Sequence, residues 1–365
     1  MDANFTVMTL DAGGTNFVFS AVKNAEEITT PVTLPAEPHD LEKCLKSIIK
    51  GFENIETQLH DKPDAISFAF PGPADYLNGI IGDLGNLPAF RGGVALGPLL
   101  KHRFGIPVFI NNDGDLFTYG ESKYGLLPKL NKFLISKGSS KQFNNLAGIT
   151  LGTGLGGGIA RGNNLFLGDN GAAGEIWLLR NPLINNSFAE ESVSARAVVR
   201  EYVKHGGTAS QNIQPMDIYK IAHGNAEGNK NAALESFKIF GRALGSILTE
   251  ISTIIDGIIV IGGGLSNAWD LFQEEMFKTM NGSYTNGDNK ISRLVMQVYN
   301  LENEQSLAEF ASGKTVEIDV PFTNQKVSYD PNKRIGVGRS RLGTSNAVSL
   351  GAYAFAYNAI KNEWH

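Results

Sequence analysis

From Phe5 the chain sets two apolar runs around one polar turn: FTVMTL, then DAGGTN, then FVFSAV. The β-rich second run ends in polar KNAEE, which predicts strand, tight turn, strand. From Asp40, apolar positions at Leu41, Leu45, Ile48, Phe52 and Ile55 trace one face of a helix, with the aspartate as its cap. Cys44 lies on the same side and reads as a small core residue. AISFAF from Ala65 and IPVFINND from Ile106 read as buried strands that run out into polar residues. Strand, helix and strand in this order predict an α/β domain.

After Asp113 the pattern predicts a helix through LFTYGESKYG, followed by polar GSSKQFNN. The opening pattern then returns in LAGITLGTGLGGGIARGNNLFLG, again strand, glycine turn, strand. Two such turns in matching contexts suggest an internal duplication, one half per lobe. Residues 232–255 carry Phe237, Phe240, Leu244, Ile247, Leu248, Ile251 and Ile255 at helical spacing. GIIVIGGG follows as a strand entering a helix near Ser266. Residues 280–341 are the least regular and read as an insertion of hairpins. SNAVSLGAYAFAYNAIKNEW predicts a closing helix rich in small residues, able to pack tightly. The expected lobes are 1–118 with 347–365, and 119–346.

Composition sharpens this picture. The chain has 365 residues, 42 of them glycine, against roughly 26 at an average usage of about 7%. Ten of the surplus fall in three clusters: Gly13 and Gly14; Gly152, Gly154 and Gly156 to Gly158; Gly262 to Gly264. An apolar fraction of 42% supports a large core, and the length favours two domains. The net charge of −5 gives no electrostatic reason to expect nucleic acid or an anionic membrane as partner. One cysteine cannot form an internal disulfide or a zinc ribbon. With no secretory pattern at the start and no apolar run of membrane length, a cytoplasmic protein is expected.

Glycine turns lack Cβ atoms, so they reach positive φ and bring N–H groups close to a ligand. With Thr15 and Thr153 beside them, they read as phosphate cradles. Gly152, Gly154 and Gly157 satisfy G-x-G-x-x-G, but a hairpin follows where the dinucleotide fingerprint needs a helix. No Walker lysine follows either. Asp113, at the end of a strand, can take a proton from a hydroxyl that attacks a phosphoryl group; it could equally cap the next helix. Asn86 offers an amide that both donates and accepts, as sugar hydroxyls require. Glu175, between glycines and apolar residues, suits a site or a buried ion pair. The six histidines are scattered, and none has metal-ligand spacing.

DAGGTN, PGPAD, NLPAF, NNDGD, LGTGLGGG, GAAGE and VIGGGLS, in this order, resemble the ROK family of sugar kinases and regulators. The match covers residues 8–200 and 232–272, with SRLGTSNAVSLGA at the tail. The resemblance implies the two-lobed, actin-like ATPase (ribonuclease H-like) α/β fold of hexokinases, with duplicated lobes and a cleft. It implies ATP and Mg²⁺, with Asp11, Gly13, Gly14, Thr15 and Asn16 as first phosphate motif and Asp11 near the metal. Gly152, Thr153 and Gly154 resemble the second phosphate motif, and Gly262, Gly263, Gly264 and Leu265 the adenosine motif. Gly72, Asn86, Asn112, Asp113, Glu175 and Glu190 match sugar-binding positions, Asp113 being also in the catalytic-base position.

The resemblance thus implies an ATP:sugar phosphotransferase acting on a hexose or N-acetylhexosamine, at O6, and a homodimer. Two departures stand out. Leu178 occupies the position of a family histidine, and NPLINNSFAE replaces a loop with three zinc-binding cysteines, so no zinc site is expected. Trp177 could be a platform for a sugar face or a core residue. Two other readings belong with the resemblance. One is a sugar-responsive regulator of the same family, which would be expected to lack its own N-terminal helix-turn-helix, because the first phosphate motif begins at residue 11. The other is a catalytically weakened sugar-binding protein.

Overall fold

Strand β1 (Thr6–Ala12) is buried from Thr6 to Leu10, turns through Gly13–Thr15 and returns antiparallel as β2 (Asn16–Lys23). The structure, a computed structural model, describes residues 4–208 and 212–361. Short strands β3 (Glu26–Glu27) and β4 (Val32–Pro35) both pair with β2. Helix α1 (Leu41–Glu56) starts on Asp40, whose side chain accepts the Lys43 amide at 3.0 Å, and it buries Cys44, Ile48, Phe52 and Ile55. β5 (Ala65–Ala69) then lies parallel to β1. A minor hairpin, β6 (Ala74–Asp75) with β7 (Ile80–Ile81), and α2 (Leu96–Phe104) lead to β8 (Val108–Asn111), parallel to β5.

The resulting sheet has the order β3-β2-β1-β5-β8, with β4 beside β2. Under α1 its core is aromatic: Phe19 meets Phe52 edge-on at 5.1 Å, and Phe68 meets Phe70 at 6.1 Å. Only Asn112 separates β8 from α3 (Asp113–Lys123). The sheet's strand ends therefore fix the start of α3.

Helix α4 (Leu126–Ser136) opens a second unit. β9 (Leu146–Leu151) and β10 (Leu155–Arg161) flank the second glycine turn. β10 carries the chain back into the first unit at Gly158, where β11 (Asn164–Leu165) pairs with its end. From Glu175 the second unit resumes with α5 (Ala195–Lys204), α6 (Pro215–Ala222) and α7 (Lys230–Ile255), the long amphipathic helix that the pattern predicts. β12 (Ile258–Gly262) is parallel to β9. The helix expected near Ser266 begins as a 3-10 turn over Gly264–Ala268 before α8 (Trp269–Met280).

Residues 280–341 differ from a plain insertion. Two hairpins, β13 (Ser283–Asn286) with β14 (Asn289–Ser292) and β16 (Val316–Asp319) with β17 (Lys326–Tyr329), do stand exposed. Between and after them lie β15 (Gln297–Asn300), α9 (Glu304–Ser312) and β18 (Arg334–Arg339). β15 and β18 are parallel core strands, in the order β10-β9-β12-β18-β15. Buried on both faces, β18 has no alternation to betray it. The main sheet of each unit thus begins with a hairpin whose first strand continues into parallel neighbours, the topological form of the repeat in the sequence.

Helix α10 (Thr344–Lys361) closes the first unit against α3. A Cβ on Gly120 would collide with the Ala347 carbonyl, and one on Gly351 with the Leu116 carbonyl. The small residues of α10 therefore set how closely it meets α3. Buried Glu121 of α3 accepts the backbone amides of Arg341 and Leu342, both at 3.0 Å, fastening the approach to α10. The first unit comprises 1–125, 158–174 and 341–365, the second 126–157 and 175–340. These bounds depart from the expected lobes because α3 cannot be cut at residue 118. Strand β10 also packs on α3: a Cβ on Gly158 would lie 2.6 Å from the Gly114 carbonyl.

Candidate active site

In the first unit Asp11, the last residue but one of β1, is exposed opposite Val18, with Ala12 opposite Phe17. The turn beyond it is glycine for two reasons. At Gly13 a Cβ would lie 2.7 Å from the Asn16 carbonyl, whereas at Gly14 it would meet nothing. Thr15 and Asn16 are exposed, and the Thr15 carbonyl accepts the Ala36 amide at 2.9 Å. The turn is held from behind and leaves its outer side open.

Asn112, half-buried, caps α3: its side chain accepts the Gly114 amide at 2.8 Å. Asp113 is thus the first helical residue and not the cap, although its Oδ1 also accepts that amide at 2.8 Å. Its carboxyl is reachable by solvent yet crowded by protein. Desolvation raises its pKa, the Gly114 amide offsets part of this, and the negative charge of Asp11 adds to the rise. A carboxylate shifted this way is a stronger base than a free aspartate.

Gly72 precedes Pro73 in a cis peptide, and a Cβ on it would lie 2.8 Å from the Tyr76 hydroxyl. Asn86 sits exposed on a loop pinned by buried Leu84, Leu87 and Phe90. Arg91 fastens the same loop through the Leu84 carbonyl at 2.8 Å and the Phe90 carbonyl at 2.7 Å. These anchors present the amide outward.

In the second unit, β9, β12 and β18 bring their C-terminal ends to one sheet edge, where ligands of open α/β sheets bind. Gly152 leads the turn there, its amide bonded to the Gly154 carbonyl at 3.0 Å, with Thr153 exposed. Gly263, at φ 84°, presses on the end of β9, since a Cβ would collide with the Leu151 carbonyl. It alone among the ten cluster glycines takes positive φ; at Gly13, Gly154, Gly156 and Gly158 a Cβ would instead come within 2.7 Å of a neighbouring atom. Gly152 and Gly264, like Gly14, would carry a Cβ into open space. Gly262 ends β12, and buried Leu265 anchors the turn that follows.

Glu175 is exposed and accepts the indole N–H of Trp177, so it forms no buried ion pair. Trp177 itself is partly buried against the core, edge-on to Phe188 at 5.7 Å. Leu178 is 58% exposed. The loop after it is organised by Asn181, which is buried. Its side chain accepts the Leu183 and Ile184 amides at 2.9 and 3.0 Å and the Ser192 hydroxyl at 3.0 Å, and donates to the Phe188 carbonyl at 2.8 Å. Glu190 lies beyond, its Oε2 accepting the Leu155 amide at 2.9 Å.

Sequence reading missed Asn181 and also Arg196, whose guanidinium meets Glu190 at 2.8 Å and Glu191 at 2.7 Å. It missed Arg339 as well, which ends β18 and reaches Asn267 at 3.2 Å. These partners are far apart in sequence or lack a motif. The tract N-P-L-I-N-N carries the one available signal, an asparagine before proline that favours a turn. Among the described residues no group of three or more His, Cys, Asp or Glu could hold a metal, and no helix is long and apolar enough to cross a membrane.

Two α/β units, each with a glycine-turn hairpin leading its main sheet, constitute the two-lobed actin-like ATPase fold. The ROK family model matches residues 7–308, and the chain belongs to the ROK family. A solved structure of glucokinase from Parabacteroides distasonis ATCC 8503 is 51% identical, with a TM-score of 0.90 and 98% of each chain covered. Glucokinase of Streptomyces coelicolor is 28% identical over 200 residues, 49% of this chain and 58% of that one, so the match spans little more than half of that relative. N-acetyl-D-glucosamine kinase of Photobacterium profundum is 26% identical over 282 residues, 72% of this chain and 86% of that one.

Proposed function

We propose that this protein is an ATP-dependent sugar kinase that phosphorylates a hexose or N-acetylhexosamine, at O6, with Asp113 as general base. The observation that carries the reading is Asp113 itself. It stands at a strand end, on the first turn of a helix, with its carboxyl raised by crowding and by Asp11. The 51% identity to a glucokinase supports the same substrate class. Asn86, Asn112 and Gly72 of the first unit, and Glu175 and Glu190 of the second, are assigned to the sugar.

In this account Asp113 accepts the proton as the sugar oxygen forms its bond to the γ-phosphorus. The bond from phosphorus to the ADP oxygen breaks, and ADP leaves. The backbone around Gly13, Gly14, Gly152 and Gly154 receives the phosphates, and Gly262 to Leu265 the nucleoside. The residues fit that load: methyl groups at Gly14, Gly152 and Gly264 would fill space that no protein atom uses. Asp11, an exposed carboxylate beside the first turn, is an oxygen donor suited to Mg²⁺, through water. Bound Mg²⁺ neutralises charge on the phosphates.

Gly14 offers a selective test. Gly14→Ala should leave stability within the range of a neutral surface substitution, about 0.5 kcal/mol, as thermal melts would show. It should raise the KM for ATP severalfold while the KM for sugar holds. A Gly14→Ala enzyme with unchanged ATP affinity would count against the phosphate assignment. The activity itself is tested by coupled ADP release over glucose, mannose, N-acetylglucosamine and N-acetylmannosamine. Release that depends on one of these sugars is expected, and none with any sugar would sink the proposal.

A further inference from the structure

Glu190 touches the second glycine turn as well as lying among residues assigned to the sugar. Its Oε2 accepts the Leu155 amide at 2.9 Å, while Oε1 accepts from Arg196 at 2.8 Å. Gly154 is what admits the carboxylate, since a Cβ there would collide with Oε2. Leu155 is buried, so without that oxygen its amide would lose this partner. The same segment grips the other end of the turn: the Ala195 amide donates to the Gly152 carbonyl at 2.9 Å. Arg196, which holds Glu190, is the next residue. Residues 190–196 thus clasp the turn at both ends, and nothing in the turn's own sequence supplies this.

We infer that Glu190 is a positioning residue for the second glycine turn, holding Gly152–Leu155 in the form that receives phosphates. The inference rests on the reading of that turn as a phosphate site. It adds a task that a sugar contact would not have: nucleotide affinity depends on Glu190 even when no sugar is present. Leu155 carries the bond through its backbone, so the side chain of Leu155 is not part of the device. Charge is not the essential property either, because a carboxamide oxygen can accept the same N–H.

The experiment is calorimetric titration of Mg·ADP into sugar-free protein, with amide exchange of a peptide covering 152–157 as a readout independent of nucleotide. Glu190→Ala and Gly154→Ala are expected to weaken ADP by about tenfold, the loss of one partly buried hydrogen bond, and to speed exchange at Leu155. Glu190→Gln is expected to keep ADP affinity and Leu155 protection near wild type while sugar-dependent turnover falls. A Glu190→Ala protein that binds ADP as tightly as wild type, with Leu155 still protected, overturns the inference. So does a lowered melting temperature with ADP affinity intact, which marks a purely structural role. Glu190→Gln failing as badly as Glu190→Ala overturns it too, because the Arg196 ion pair would then be what shapes the turn. Wild-type protein that binds no ADP overturns the kinase reading instead; Leu155 exchange then still decides whether Glu190 holds the turn.

Discussion

Asp113→Asn should lower kcat by roughly 10²- to 10⁴-fold, the range for loss of a general base, while the KM values for sugar and ATP stay near wild type. The asparagine keeps the size of the side chain and an oxygen for the Gly114 amide, so the start of α3 should not move. The pH dependence follows from the same group. A base must be ionised to act, so wild-type kcat/KM should rise with pH through the raised pKa of Asp113, and this rise should be absent from the variant.

Stability should move the other way. The folded carboxyl binds its proton more readily than the unfolded one, because desolvation and Asp11 disfavour the charge. The stability this contributes is complete below the unfolded pKa and is lost as pH rises through the folded pKa. At neutral pH the ionised Asp113 therefore costs stability, and Asp113→Asn should melt above wild type. The difference should vanish in acid, where both side chains are neutral. Thermal melts at both pH values, beside the kinetics, check this opposite movement of activity and stability.

Gly351→Leu should be the most damaging single change to the first unit. Overpacking a core typically costs 1–3 kcal/mol when side chains can shift. Here the obstacle is the Leu116 carbonyl of the facing helix, which has no rotamer to change. A loss of about 3 kcal/mol is expected, a fall of roughly 6–12 °C in melting temperature. Because α3 carries Asp113 at its start and Glu121 near its end, the surviving folded protein should also lose turnover. Gly120→Ala, against the Ala347 carbonyl, should act in the same direction. Thermal unfolding with near-ultraviolet circular dichroism separates this from a direct effect on the site.

Much of the architecture is legible along the chain because it is encoded locally. The Asp40 cap and the stripe of α1 lie within a few residues of one another, as do the strand, turn and strand of β1 and β2. The length and spacing of α7 are of the same kind. What escapes the pattern is decided by distant partners. β18 reads as irregular because Gly336 and Gly338 interrupt it, yet both are buried, with Leu301 packed where a Gly336 side chain would be and the Glu302 carboxylate close to where one on Gly338 would be. Its strand character comes from β12 and β15 on either side.

The site divides in the same way. Asp113 at a strand end and the glycine turns announce themselves in short motifs. Which residue caps α3 is a contest between neighbours, Asn112 and Asp113, that geometry resolves in favour of Asn112. The turn glycines suggest unusual backbone angles, but only Gly263 takes one; close approach explains Gly13, Gly154, Gly156 and Gly158, while Gly14, Gly152 and Gly264 face open space. Glu175 invites a buried partner because of its apolar neighbours, whereas the backbone turns it outward to the Trp177 indole. The grip of Glu190 on Leu155 joins residues 35 positions apart, and no spacing rule anticipates it.

The most direct measurement is phosphorus NMR of the protein incubated with Mg·ATP and the sugar that drives ADP release, wild type beside Asp113→Asn. The account predicts a new phosphate-monoester signal coupled to the C6 methylene protons in the wild-type mixture, formed orders of magnitude more slowly by the variant. Inorganic phosphate as the only product, or a monoester formed equally fast without the Asp113 carboxylate, would contradict it.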